Sequence, residues 1–133
     1  MRNPIETVAW VRVENGNILC ARSRGKDVFY IPGGKLEAGE TELDALLREI
    51  KEELAVDLVP ETVRAFGTYR AEAHAQPDGV MVVMSCYTGD YLGRPSASGE
   101  IEELAWFDYA DRHRVAPVDQ LLFDDLVAAG QLA

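Results

Sequence analysis

Gly34–Val56 reads GKLEAGETELDALLREIKEELAV. Its later part, Thr41 to Leu54, predicts a helix, because Thr41 and Asp44 make the pattern of a capping box ahead of an apolar repeat. At about 100° per residue, Leu43, Leu46, Leu47, Ile50 and Leu54 share one arc, which should face a sheet. Glu49, Glu52 and Glu53 share a second arc beside it. That arrangement is locally unfavourable. Glu49 repels Glu52 and Glu53 at i,i+3 and i,i+4, at roughly 0.2–0.5 kcal/mol per pair. All three also lie near the negative end of the helix dipole, and Arg48 and Lys51 relieve only part of the strain. A divalent cation would remove it, and hard oxygen ligands suit Mg²⁺ or Mn²⁺. Taken alone, such a face is more often simply what a solvated helix presents.

The residues upstream change the balance. Pro32-Gly33-Gly34-Lys35 is expected to stop a short strand, Val28 to Ile31, and adjacent glycines expose backbone groups to a ligand. A nucleotide-binding P-loop is excluded: it requires G-x-x-x-x-G-K-[ST], whereas Phe29 stands five before Gly34 and Leu36 follows Lys35. What is informative is the spacing: Gly34, five residues, Glu40, seven residues, then Arg48-Glu49-Ile50-Lys51-Glu52-Glu53-Leu54-Ala55-Val56. This stretch resembles the signature of the Nudix hydrolases, G-x5-E-x7-R-E-U-x-E-E-x-G-U with U aliphatic. Every specified position matches except Ala55, which stands where that family has glycine. A residue just past a helix end often adopts a left-handed conformation, where alanine costs about 1 kcal/mol.

The resemblance implies an α/β fold of Nudix type, an α/β/α sandwich with a mixed β-sheet flanked by helices. It implies hydrolysis of a diphosphate linkage in a nucleoside diphosphate joined to another group. A metal would neutralise charge and activate water, and would reconcile an acidic chain with an anionic substrate. Carried over by position, Glu49, Glu52 and Glu53 become metal ligands, with the Gly33 carbonyl a further one, and Mg²⁺ the expected cofactor with Mn²⁺ as substitute. Arg48 would orient Glu49 and Glu40. The general base is not fixed by the signature; Glu49, Glu52 or an acid outside the box are candidates. Gly99-Glu100-Ile101-Glu102-Glu103 resembles the family's distal acidic loop, and Glu100 is favoured there, a merely solvated acid being the alternative. A catalytically silent, nucleotide-binding sensor domain would be expected to lack one or more of Glu40, Glu49, Glu52 and Glu53, and all are present.

Away from the box, Thr7–Val13 and Ile18–Arg22 flank Asn15-Gly16 and predict a β-hairpin with a type I′ turn. Val63–Arg70, Val80–Tyr87 and Leu104–Phe107 read as strands, Ala71–Gly79 as a polar loop, and Val118–Ala129 as a closing helix. This order is no regular βα alternation, so a doubly wound or barrel fold is excluded and a mixed sheet covered by helices favoured. Arg22, Arg24, Lys26 and Lys35 supply cations that could hold substrate phosphates. Phe29, Tyr30 and Trp106 are candidates for stacking on a base, with core packing the alternative. Asp119, Gln120, Asp124 and Asp125 could read a base edge or be simply solvated. His74 and His113 read as surface residues.

The 133 residues carry 13 Lys+Arg against 23 Asp+Glu, a net charge of −10. That length suits one domain, residues 1–133. The charge argues against a nucleic-acid polymer or an anionic membrane as partner; a small nucleotide as substrate is what the resemblance implies. Cys20 and Cys86 match no metal or redox spacing and are expected as buried thiols. No signal peptide or membrane span is expected, so the cytoplasm is the expected location. Self-association into a homodimer stays open. The small size resembles members that cleave nucleoside triphosphates to monophosphate and pyrophosphate; ADP-ribose or a nucleotide sugar is the alternative.

Overall fold

The computed structural model describes residues 3–73 and 79–133. In chain order they form β1 (Ile5–Trp10), β2 (Val13–Glu14), β3 (Asn17–Ser23), β4 (Gly33–Lys35), α1 (Glu42–Leu54), β5 (Asp57–Leu58), β6 (Arg64–Glu72), β7 (Met81–Thr88), β8 (Tyr91–Leu92), β9 (Ile101–Phe107) and α2 (Pro117–Ala128), with 3₁₀ turns at Pro60–Thr62 and Tyr109–Arg114. One sheet has the order β4-β1-β7-β6, in which β1 runs parallel to β7 and antiparallel to β4. β2, β3 and β9 make an antiparallel second sheet, and β5 pairs with β8.

Period-two alternation builds the layers. On β1, Val8 and Trp10 face a core completed by Leu46, Ile50 and Leu54 of α1. Ala9 and Val11 face the opposite core, completed by Val118, Leu122, Phe123 and Leu126 of α2. On β3, Leu19 joins the first core, Ile18 and Cys20 the second. The α/β/α sandwich with a mixed sheet is therefore observed. Cys20 and Cys86 are buried, free thiols.

Three expectations need correcting. The hairpin about Asn15-Gly16, with φ of 54° and 79°, forms only between β2 and the start of β3. Its first arm separates: β1 joins the other sheet, and the crossing is bonded by Val11 N–H to the Tyr87 carbonyl (2.8 Å) and Leu19 N–H to the Arg12 carbonyl (3.0 Å). β1 is apolar on both faces, and a central strand in a two-sided sheet covers both. The second correction concerns the glycines. Gly33 and Gly34 do not stop a strand; they are one, paired with Ala9 and Val8. Phe29 and Tyr30 make only isolated bridges, to Val115 and Ala21. β6 also runs on to Glu72, into the segment expected as a loop; His74 and Pro77-Asp78 of that loop lie outside the described residues.

The helix obeys its caps. Thr41 Oγ1 accepts from Asp44 N–H at 3.1 Å, and Asp44 accepts from Thr41 N–H at 3.5 Å. Its buried face is wider than the apolar arc. Ala45 is fully buried, on the far side of Glu49 and Glu53 from Leu46, so those two carboxylates sit inside the packed face; Leu43, in the first turn, is 39% exposed. At the other end Ala55 adopts the left-handed conformation, φ 57° and ψ 31°, and its N–H donates to the Lys51 carbonyl. Ala55→Gly should therefore stabilise the protein by about 1 kcal/mol, raising the melting temperature by about 3 °C. A calorimetric scan showing a lower melting temperature would contradict that cost.

Candidate active site

One glycine lets β4 lie close against β1, and the next lets the carboxylate helix approach the sheet. A Cβ on Gly33, whose φ is 154°, would overlap the Val8 carbonyl oxygen; a Cβ on Gly34 would occupy the space of the Glu49 carboxylate. With neither side chain present, Gly33 N–H donates to Glu53 Oε1 at 3.1 Å.

Arg48 is the hub of the polar side. Its guanidinium donates to both oxygens of Glu40, at 2.7 and 2.8 Å, to Glu49 Oε2 at 3.2 Å and to the Lys35 carbonyl at 3.2 Å. Glu37 and Glu52 lie farther off, at 3.4 and 3.7 Å. Hydrogen bonds from Arg48 and from Glu37 N–H hold the Glu40 carboxyl down at about 2. Arg48 is thus shared among several acids and cannot neutralise the remaining ones. Burial pushes Glu49 above the usual carboxylate range despite Arg48. Burial pushes Glu53 to about 8, opposed by the Gly33 N–H and reinforced by Glu49, Glu52 and Glu100.

Among the described residues no three acids, histidines or cysteines are gathered tightly enough to close on an ion as they stand. The donor set nevertheless fits a hard divalent cation. Glu49 and Glu53 each engage one oxygen, leaving Oε1 and Oε2 respectively for a ligand, and Glu52 is exposed. The excess negative charge that burial disfavours is what a cation would balance.

Of the three helix carboxylates Glu53 borders a cavity of about 300 Å³, whose wall also includes Gly33, Gly34, Lys35, Lys26, Tyr30 and Asp119. Of the proposed phosphate-binding cations, Lys26 and Lys35 line it. Arg22 does not: it is engaged by Glu103 at 3.1 Å and Glu102 at 3.4 Å. Arg24 likewise donates to the Gly99 carbonyl at 3.1 Å. Tyr30 borders the cavity, whereas Phe29 is a core residue set edge-on to Phe107 with centroids 4.8 Å apart. Trp106 is 41% exposed on β9 and His113 is exposed on its 3₁₀ turn. Glu100 is exposed, in a segment lying against the end of α1: Ser98 N–H donates to the Glu53 carbonyl at 3.0 Å.

The last helix sorts its polar residues sharply. Asp124 pairs with Arg112 at 2.8 Å and Tyr109, Gln120 bonds the Arg112 and Val115 carbonyls, and Asp125 accepts from Tyr69. Asp119 alone among them reaches the cavity. It is 2% exposed, accepts a hydrogen bond from Ile31 N–H, and is pushed by burial to about 8. The sequence offers it as one of four equal candidates; the apolar neighbours Val118, Leu122, Phe123 and Leu126 carry the clue that its face of the helix is buried.

The NUDIX domain family model matches residues 2–126. The NAD-capped RNA hydrolase NudC of Vibrio atlanticus is 34% identical over 112 residues, covering 81% of this chain and 38% of that protein. The ADP-ribose pyrophosphatase of Methanocaldococcus jannaschii is 31% identical over 91 residues, covering 68% of this chain and 52% of its own length. The chain thus matches between about a third and a half of these two relatives' lengths. In structure, the ORF135 protein of E. coli superposes with a TM-score of 0.74 at 27% identity, covering 93% of this chain and 89% of its own. A MutT NUDIX hydrolase from Burkholderia pseudomallei shares the fold, with a TM-score of 0.77 at 22% identity over 92% of this chain and 98% of its own. With a matching family model across nearly its whole length and the box glutamates gathered at a glycine strand, the chain belongs to the Nudix family.

Proposed function

We propose that this chain is a metal-dependent pyrophosphohydrolase acting on a diphosphate linkage in a nucleoside diphosphate derivative, with a nucleoside triphosphate, cleaved to monophosphate and pyrophosphate, as the favoured substrate. The observation that carries the reading is a single cavity bordered by Glu53 of the carboxylate helix together with Lys26, Lys35, Tyr30 and Asp119. Bound Mg²⁺ or Mn²⁺ would supply charge neutralisation and an activated water. Glu49, Glu52 and Glu53 would hold it, with the Gly33 carbonyl as a further donor, and Arg48 would keep Glu49 aimed. Lys26 and Lys35 would meet the phosphates. Asp119, with its carboxyl protonated at neutral pH, would both donate to and accept from a base edge, beside Tyr30. Glu49, Glu52 or Glu100 would take the proton of the attacking water.

A second reading, ADP-ribose or another nucleoside diphosphate joined to a further group such as a sugar, is favoured by the activities for which two relatives are named, both on compounds with a diphosphate bridge. A panel of nucleoside triphosphates, ADP-ribose, nucleotide sugars and NAD, assayed with Mg²⁺ and scored for products, separates the two. The best substrate should lose all measurable turnover in chelator and regain it with Mg²⁺ or Mn²⁺. Full activity in metal-free buffer would sink the mechanism. Among the described residues no helix is long and apolar enough to cross a membrane.

A further inference from the structure

The last turn of a helix leaves carbonyls without intrahelical partners. In α1 these groups are met by the chain just before β9. Ser96 N–H donates to the Leu54 carbonyl at 2.9 Å and Ser98 N–H to the Glu53 carbonyl at 3.0 Å, while Gly99 lies so close that a Cβ there would come within 3.0 Å of the Glu52 carbonyl oxygen. So residues 96–99 cap the turn that carries Glu52 and Glu53, and Glu100 follows at once.

The other side of this segment is held from β3. Arg24 fixes it twice: its N–H donates to the Glu100 carbonyl at 2.9 Å and its Nη2 to the Gly99 carbonyl at 3.1 Å. Just beyond, the β3–β9 ladder is irregular. Arg22 pairs with Glu103 but Ser23 pairs with Ile101, so Glu102 is an extra residue on β9. A bulge of this kind bends its strand and re-aims the side chains next to it.

We propose that Arg24 is a positioning residue, which clamps the Gly99–Glu100 backbone against the end of α1 so that Glu100 stands at the carboxylate face, and that it does not bind substrate phosphate. This rests on the reading of Glu100 as an acid of the hydrolytic reaction. It reassigns one of the cations expected to hold the substrate. The Arg24 backbone bond would survive substitution; the side-chain bond to Gly99 is the part that a variant removes.

The test combines Arg24→Ala, Glu100→Gln and the double variant. Arg24→Ala should lower kcat by roughly a hundredfold, the scale of an error of about 1 Å in placement, with KM within about twofold of the parent. In the Glu100→Gln background it should cost nothing more. A KM raised tenfold with kcat intact, and effects that multiply in the double variant, would make Arg24 a phosphate ligand and overturn the proposal. Turnover unaffected by Glu100→Gln but lowered by Arg24→Ala would also overturn it, while leaving the hydrolase reading untouched. A readout without substrate keeps the two separate: amide exchange at Ser96 and Ser98 in the folded protein should speed at least tenfold in Arg24→Ala. Unchanged protection there overturns the clamp even if no nucleotide proves to be a substrate.

Discussion

Glu53→Gln is expected to lower turnover of the best nucleotide by about two to three orders of magnitude, with the protein still folded. Losing a charged metal ligand removes several kcal/mol of transition-state stabilisation, and each 1.36 kcal/mol or so is tenfold in rate, about two or three such steps here. The fold should tolerate the change because the glutamine oxygen can still accept from Gly33 N–H, and burial already disfavours charge at this position. Arg48→Ala should also slow turnover, by roughly a hundredfold, for a different reason: the ligands remain but Glu49 loses the guanidinium that aims it. Metal titration tells the two apart. Excess Mg²⁺ should restore part of the rate to Glu53→Gln, whose affinity for metal has dropped, and little to Arg48→Ala. If Arg48→Ala is the variant rescued and Glu53→Gln binds metal like the parent, the roles are reversed.

Asp119→Asn should change how stability depends on pH. The folded carboxyl titrates at about 8 against an ordinary value of 3.8. Between those values the folded chain holds a proton that the unfolded chain has released, so stability falls as pH rises through the window. Below it both states are protonated and nothing is lost; above it the loss is complete. Each pH step of one across that window removes about 1.4 kcal/mol, so the total is on the order of a few kcal/mol. Asparagine keeps an acceptor for Ile31 N–H and has no proton to lose. Urea unfolding at pH 5 and pH 8 should show the parent losing more stability than the variant. The slope is the readout, because burying the asparagine amide adds an offset at every pH. Equal slopes would mean that Asp119 is not the titrating group.

The carboxylate helix was legible because its cues are local: a capping box, an apolar repeat and glutamates at fixed spacing all fall within one short stretch. The strands were harder. Apolar residues on both faces of β1 show that it is buried but not which neighbours bury it, and a hairpin with the next strand is the cheaper local assumption. Gly33 and Gly34 read as a turn because glycine is poor in strands; the need for them shows only once β4 lies against Val8 and Ala9 and α1 brings Glu49 up to Gly34. Arg22 and Arg24 looked like free loop cations since their partners, Glu102, Glu103 and Gly99, lie some eighty residues on. The shift of register at Glu102 leaves no trace in composition. Burial of Asp119 needed the α2 core to be placed.

The sheet between the two cores also bears on how such a chain can change over generations. The glutamates are anchored through α1 to one core, whereas Val82, Met84, Val118 and Asp119 at the cavity wall belong to or adjoin the other. Substitutions on opposite faces share few neighbours, and distant sites usually combine additively. On the proposed function, new preferences for the group beyond the diphosphate would be sampled on the α2 side with little effect on the glutamates of α1. Phosphate chemistry would then be inherited intact while the choice of nucleotide drifts.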